Sequence, residues 1–269
     1  MESHPFSNRL TPVNPVRPVA AYVGGKRSLA RQIVSLINEV PHEGYAEPFV
    51  GMGGIFFRRT MRPDFEIIND WSEDVATLFR ILQRHYQSFL EELKWRLSSR
   101  AEFDRLMRQD ATTLTDLERA ARFLYLQRLA FGGTVTNRHF AMTKARPARF
   151  DLTKLVPMLE DVHERLAGVT IERLPWADFV DRYDRPGTLF FLDPPYLGSE
   201  DYYGAGMFPA EEFERLAARL ATLKGRFILT INDRPETRAM FSRFEVRGVD
   251  LLYRVSGTAT QGRELIVSN

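Results

Sequence analysis

The chain has 269 residues, a mass of 31.1 kDa and a formal net charge of +2; with 44% hydrophobic and 27% charged residues it has the composition of a globular protein with a full core. It contains no cysteine, which excludes a disulfide framework, a cysteine nucleophile, an iron–sulfur cluster and a thiolate zinc site. No apolar run approaches the roughly 18 residues of a membrane span and MESHPFSNRL lacks a secretory h-region, so the expectation is a cytoplasmic protein with no membrane partner.

Residues 1–18 hold Pro5, Pro12, Pro15 and Pro18 without periodicity and predict an extended, flexible arm. Leu29, Ile33, Leu36 and Ile37 predict a helix from Ser28 to Val40, stopped by Pro41. GYAEPF (44–49) predicts a short strand entering the glycine loop GMGG (51–54), with IFFRRT helical after it. FEIIN (65–69) predicts the next strand, ended by Asp70, and SEDVATLFRIL resumes helix with Ser72 as its cap. Helical periodicity persists from Gln83 to about Leu129, broken near Asp110 to Thr115, and 131–150 reads as glycine-containing, basic and irregular. A helix (151–167), a strand (169–173), a loop through Trp176 to Asp178 and a short helix follow. TLFFL (188–192) is a continuous apolar run of the kind buried on both faces. A helix (210–224), the strand RFILTI (226–231), a helix and two strands (244–253 and 263–268) complete the chain.

Strands alternating with helices predict an α/β fold whose mostly parallel sheet is covered on both faces. Its ligand site is expected at the carboxyl ends of the strands, where the glycine loop, Asp70 and the residues after TLFFL all land. Between Thr77 and Phe150 there are 14 Lys+Arg against 7 Asp+Glu, so the rest of the chain is net negative. Such a segment fits either a polyanion docking on one part of the surface or an ordinary solvated helical face.

FLDPPY (191–196) is the sharpest motif. Two prolines fix two φ angles, so the loop is stiff and the Asp193 carboxylate and Pro194 carbonyl can point into one small space. Two acceptors beside an aromatic plate suit a planar group bearing NH2. In AEPFVGMGG (46–54) a strand meets a tight glycine turn that lets a ligand approach backbone; Phe56 replaces the third glycine of the dinucleotide fingerprint. Asp70 is placed to accept from ribose hydroxyls. YVGGKRS (22–28) is no Walker loop, since Arg27 follows the lysine where Ser or Thr is required. His4, His42, His85, His139 and His163 have no metal-ligand spacing, so no metal is expected.

GGK near the N-terminus, then EPFVGMGG, NDWSED, FLYLQR and DPPY resemble, in order, the Dam-type (alpha-group) DNA adenine-N6 methyltransferases, from about Tyr22 to the last strand. The resemblance implies a Rossmann-like S-adenosylmethionine-dependent methyltransferase sheet with an inserted helical target-recognition domain. The expected organisation is the arm at 1–18, a catalytic domain from 19–79 and 151–269, and the insertion at 80–150. The resemblance also implies S-adenosylmethionine as cofactor. Its site would include Tyr22, Lys26, Phe49, Gly51, Gly53, Asp70, Asp178, Phe179 and Asp193. Asp193, Pro194, Pro195 and Tyr196 would form the catalytic motif, acting on adenine N6 of double-stranded DNA.

That amino group is a poor nucleophile because its lone pair is delocalised into the ring. Hydrogen bonds to Asp193 and the Pro194 carbonyl favour an sp3-like nitrogen, and no covalent enzyme intermediate is required. Tyr196 can stack on a base flipped out of the duplex. Cytosine C5 chemistry would need the missing cysteine. The family's Asn-Gly-x-x-Arg-like run after FLYLQR is replaced here by Gln127, Gly132, Gly133 and Thr136. Phe131, as a wedge, and Arg138, Lys144, Arg146 and Arg149, on phosphates or guanines, are the DNA-binding candidates; each arginine alone is equally a solvated surface charge. GSEDYYGAGMF (198–208) reads as a lid or a surface loop, and TATQGRE (258–264) as a DNA contact or a plain turn. The alternatives to duplex adenine-N6 methylation are cytosine-N4 or RNA adenine methylation, and a catalytically silent DNA-binding relative. A monomer is expected, because methylating one strand at a time needs no dimer.

Overall fold

Period-two burial builds the centre of the molecule. The computed structural model describes residues 10–141, 147–198, 208–255 and 258–269. In chain order these form β1 (Thr11–Pro12), α1 (Ala30–Glu39), β2 (Gly44–Glu47), β3 (Met61–Arg62), β4 (Phe65–Asn69), α2 (Glu73–Arg84), α3 (Tyr86–Lys94), α4 (Arg100–Arg108), α5 (Asp116–Leu129) and α6 (Leu152–Arg165). There follow β5 (Thr170–Glu172), α7 (Trp176–Tyr183), β6 (Thr188–Leu192), α8 (Ala210–Leu220), β7 (Arg226–Asn232), α9 (Pro235–Met240), β8 (Glu245–Val255) and β9 (Thr258–Ser268). Successive strand residues face opposite cores: Tyr45, Ile68, Leu189, Phe191 and Ile228 join one cluster, and Ala46, Ile67, Phe190, Leu192 and Leu229 the other. Every residue of β6 is buried, as its continuous apolar run requires.

The sheet order is β5-β4-β2-β6-β7-β9-β8, parallel from β5 through β7, with the β8–β9 hairpin antiparallel at one edge. The chain runs outward from β2 through β4 to β5, then returns to β6 on the other side of β2. The direction therefore reverses between β2 and β6, which pair directly. Such a switch point opens a crevice at the strands' carboxyl ends, and here the two motif-bearing strands flank it.

The helical stretch after α2 is stitched into this body. Helices α3 and α5 pack on α2, α3 also packs on α6, and α4 rests on α5; all share one core cluster with a sheet face. The break seen near Asp110 to Thr115 is a helix start: the Thr115 hydroxyl and Glu118 cap each other's backbone. IFFRRT gives only a 3-10 turn at Phe56–Arg58, because the chain turns back at once to pair β3 with β1. That pairing, with Val13 N–H on Thr60 O and Val16 N–H on Phe57 O, ties down the described part of the proline-rich segment, which the sequence predicts as a flexible arm. Residues 258–268 are a strand along β8 rather than a turn. No helix among the described residues is long and apolar enough to cross a membrane.

Candidate functional site

A cavity of about 860 Å³ opens where β2, β4 and β6 end. After β2 the chain turns through Gly51 at φ +50°, and a Cβ there would sit 3.1 Å from the Tyr22 ring, so the loop holds glycine both for its backbone and for that ring. Gly51 N–H donates to Asp70 Oδ2 and Ser72 N–H to Oδ1, each at 2.8 Å. Asn69, one residue earlier, ties the strand ends together: its amide donates to Pro48 O and Leu174 O, and its Oδ1 accepts from Leu174 N–H. Burial pushes the Asp70 carboxyl up to about 6, although the two backbone N–H bonds pull the other way.

At the end of β6, Asp193 Oδ1 is held twice, by the Lys26 ammonium at 2.6 Å and by the Thr230 hydroxyl at 2.8 Å. No described residue bonds its Oδ2. Lys26 also donates to Gly24 O at 3.0 Å and stands 4.5 Å over the Tyr196 ring. Tyr196 donates its hydroxyl to Glu264, a buried residue of β9 whose other oxygen lies 3.9 Å from Lys26. Burial raises the Asp193 carboxyl above the usual carboxylate range, the Lys26 cation opposes this, and the Glu264 charge adds to it.

Glu47, at the end of β2, brings an unsatisfied acidic oxygen to the site. It lines the cavity, is 2% exposed, and its Oε2 has no hydrogen-bond partner among the described residues. Burial drives its carboxyl well up, with Asp193 repelling it further and Arg59 opposing. A buried carboxyl with an unsatisfied oxygen at a cavity wall, beside Asp193, is a group whose ionised form a cationic ligand would favour.

The end of α5 explains why FLYLQR accompanies the GGK segment. Gln127 Nε2 donates to Ala21 O and Gly133 O, and Arg128 donates to Val19 O, so α5 clamps the strand-like lead into Tyr22 and Lys26. Gly133, at φ +72°, sits so close that a Cβ would come within 2.9 Å of Tyr22 N.

Of the residues implicated by sequence, Tyr22, Lys26, Phe49, Gly51, Asp70, Asp193 and Pro195 line the cavity. Tyr196, in contact with Lys26, and the buried Pro194 are not among the lining residues. Gly53 faces away; a Cβ there would meet the Phe57 ring at 2.3 Å, so it serves the 3-10 turn. Asp178 and Phe179 do not reach the cavity. Helix α7 starts at Trp176 with Pro175 as its cap, leaving Leu174, Pro175 and Trp176 as the wall, while Phe179 packs on Tyr183 in the core. Arg138 is not a surface charge: it lines the cavity, lies over the Phe123 ring and donates to Gln127 Oε1 at 3.2 Å. Phe131 is 51% exposed, and Arg149 borders a second, shallower groove with Arg128 and Lys154. Lys144 and Arg146, and residues 199–207 of the GSEDYYGAGMF loop, lie outside the described residues. Sequence reasoning missed Glu47, Trp71, Trp176, Thr230 and Glu264 as site residues. Glu47 stands in EPFVGMGG, Trp71 in NDWSED and Glu264 in TATQGRE, so their segments were singled out though the residues were not; Thr230 and Trp176 carried no signal.

The profile of one protein family, D12 class N6 adenine-specific DNA methyltransferase, matches residues 22–255. The chain is 25% identical to the Type II methyltransferase M1.LlaDCHI of Lactococcus lactis subsp. cremoris, over 94% of this chain and 95% of that protein. It is also 25% identical to the Type II methyltransferase M.MjaIII of Methanocaldococcus jannaschii, over 67% and 69%. A solved structure, that of SMU.472, a putative methyltransferase complexed with SAH, superposes with a TM-score of 0.37 at 12% identity, covering 91% of this chain and 52% of that one. The match runs through every motif that shapes the cavity, from Tyr22 past DPPY, and the chain belongs to the D12 class of N6 adenine-specific DNA methyltransferases.

Proposed function

We propose that the protein acts as a monomer on double-stranded DNA, holding one flipped adenine at Asp193 while its N6 amino group takes a methyl group. The observation that carries the assignment of roles is the division of labour on Asp193: Lys26 and Thr230 occupy Oδ1, which leaves Oδ2 for an incoming N–H donor. With the Pro194 carbonyl as second acceptor, two bonds from N6–H draw the nitrogen toward sp3 geometry and aim its lone pair. The raised Asp193 carboxyl is also a better acceptor than an exposed one for the proton that N6 sheds after transfer. Tyr196 supplies the face on which the flipped base stacks.

S-adenosylmethionine, the methyl donor of the family, supplies an electrophilic methyl on a sulfonium when bound. The residues present fit it. Glu47 offers an unsatisfied carboxylate to a cation, Asp70 ends β4 where ribose hydroxyls would donate, and the loop at Gly51 leaves backbone accessible. Tyr22, Lys26 and Phe49 close the same cavity, and Pro175 and Trp176 take the wall position that Asp178 and Phe179 were expected to fill. The cation-rich stretch 80–150 is assigned to target recognition, with Phe131 and Arg149 at its surface and Arg138 reaching from it into the cavity.

The test is incubation of purified protein with labelled S-adenosylmethionine and mixed-sequence duplex DNA, followed by nucleoside mass analysis. N6-methyladenine is the expected product, lost by at least about a thousandfold in Asp193→Ala with the melting temperature unchanged. Retained turnover in that variant overturns the role of Asp193, and N4-methylcytosine overturns the substrate.

A further inference from the structure

The DPPY loop is gripped from the side by the two strands that follow it in the sheet. Thr230 of β7 bonds Asp193, Asn232 of β7 donates to Leu197 O at 3.0 Å, and Glu264 of β9, directly opposite Asn232 in the antiparallel register, accepts from the Tyr196 hydroxyl. Glu264 is 2% exposed in a strand whose neighbours Leu265 and Ile266 are core residues. A carboxylate that deep is costly unless it is used, and here its two oxygens point to the two groups that flank Asp193: one to the Tyr196 hydroxyl, the other toward the Lys26 ammonium.

We propose that Glu264 is a positioning residue for the transfer: it pins the hydroxyl end of Tyr196 so that the ring stays a fixed plate, and it shares the Lys26 cation with Asp193. A tyrosine ring held only by its stem can rotate about two side-chain bonds. One whose hydroxyl is anchored presents a single face before the base arrives, and so loses less freedom on stacking. The shared cation matters because Lys26, 2.6 Å from Asp193 Oδ1 and 3.9 Å from Glu264 Oε2, is drawn by two carboxyls rather than by Asp193 alone. The charged groups facing Asp193 are Lys26, Glu264 and Glu47. Removing the charge of Glu264 therefore eases ionisation of Asp193 and moves the acid limb of the rate to lower pH. A residue that merely filled space would not do this.

The inference rests on Tyr196 being the plate for the base, so the wild-type protein is assayed first on duplex DNA, and its methylated site is mapped by sequencing. On that site Glu264→Ala and Tyr196→Phe are each expected to lower kcat about tenfold, with KM for DNA changed less than twofold and no further loss in the double variant. Glu264→Gln, whose amide oxygen still accepts from Tyr196, is expected to hold kcat within about threefold of wild type, with its acid limb displaced downward. Should Glu264→Ala fail to fold, Tyr196→Phe and Glu264→Gln decide the matter, since neither empties the buried site. Losses that add in the double variant, Glu264→Gln as slow as Glu264→Ala, or an unmoved acid limb overturn the proposal. If the wild-type protein methylates no DNA, the adenine reading falls and this inference with it. If it methylates and Glu264→Ala keeps pace, only this inference falls.

Discussion

At the amino ends of β2 and β4, Glu66 accepts two bonds of 2.7 Å from Arg165 and one of 2.5 Å from Arg59, which lies flat on the Tyr45 ring at 3.7 Å. His42 sits 3.4 Å behind Arg59, and burial pulls its pKa down to about 4, so a neutral ring completes the group. At the carboxyl ends of the same strands, Lys26 faces Asp193 and Glu264, and Asp193 in turn acts on Glu47. Both groups are buried charge clusters. In the first, each Glu66 oxygen is bonded to a guanidinium, and none of Glu66, Arg59 and Arg165 lines the large cavity. The second opens on that cavity, groups the carboxyls of Asp193, Glu264 and Glu47 with the Lys26 ammonium, and leaves Glu47 Oε2 without a donor among the described residues. Burying charge is costly in both places; the first leaves only Arg59 Nε, Arg165 Nε and the Tyr45 hydroxyl without a partner among the described residues, whereas the second leaves an acidic oxygen so placed at a cavity wall. That difference separates a structural ion cluster from one made for a cationic ligand and a hydrogen-bond donor.

The largest expected effect breaks the closed cluster. Glu66→Ala leaves two guanidiniums buried without their carboxylate and is expected to cost about 3–5 kcal/mol in urea unfolding, the scale for removing one partner of a buried pair. Activity per folded molecule should stay unchanged. Asp193→Ala should give the reverse, with stability held and turnover gone. A Glu66→Ala protein as stable as wild type would mean that the closed cluster is no more structural than the open one.

Next comes the cation bound to Asp193 in the open cluster. Lys26 lowers the Asp193 carboxyl against burial, so Lys26→Met lets the carboxyl rise further, keeping it protonated over a wider range. The acid limb of the methylation rate should move to higher pH, opposite to Glu264→Gln, and kcat/KM at pH 7 should fall about tenfold. A limb that stays put would remove Asp193 as the titrating group. A milder effect attends Asp70. Its carboxyl sits near 6, so as pH falls through that value it gains a proton and loses its capacity to accept from both ribose hydroxyls. The dissociation constant for S-adenosylmethionine, followed by calorimetry, should rise below about pH 6 in the wild type and be flat with pH in Asp70→Asn.

The same contrast explains what could be read from the chain. TLFFL is legible because a strand buried on both faces needs an unbroken apolar run, FEIIN and RFILTI because they are short runs rich in β-branched and aromatic residues, and DPPY and the glycine loop because stiff or left-handed backbone demands proline and glycine. The wall of the cavity was misplaced because Pro175 starts α7 at Trp176, where the sequence reads as loop until Asp178. The prolines before Val19 suggest mobility, yet Val13 and Val16 supply the N–H groups that tie this segment to the turn after the glycine loop. Glu264 and Thr230 were illegible for a plainer reason: Glu264 ends TATQGRE, which reads as a DNA contact or a plain turn, and Thr230 in FILTI looks like an ordinary strand residue. Only the order β6-β7-β9 brings them beside Asp193.

Thr230 gives the finest test of how the open cluster is tuned. Its hydroxyl is one of two donors on Asp193 Oδ1, and valine has nearly the same shape without the donor. Thr230→Val leaves Lys26 in place, so Oδ1 is still held, though in a looser orientation. Losing one hydrogen bond to a carboxylate that keeps its main partner is worth roughly 1–1.5 kcal/mol, and turnover should drop about five- to tenfold. Because the lost donor favoured the ionised form, the acid limb should also shift slightly upward, less than in Lys26→Met. If Thr230→Val instead matched Lys26→Met in both rate and limb, the hydroxyl rather than the ammonium would be the group that fixes Asp193, and Lys26 would be left to the cofactor alone.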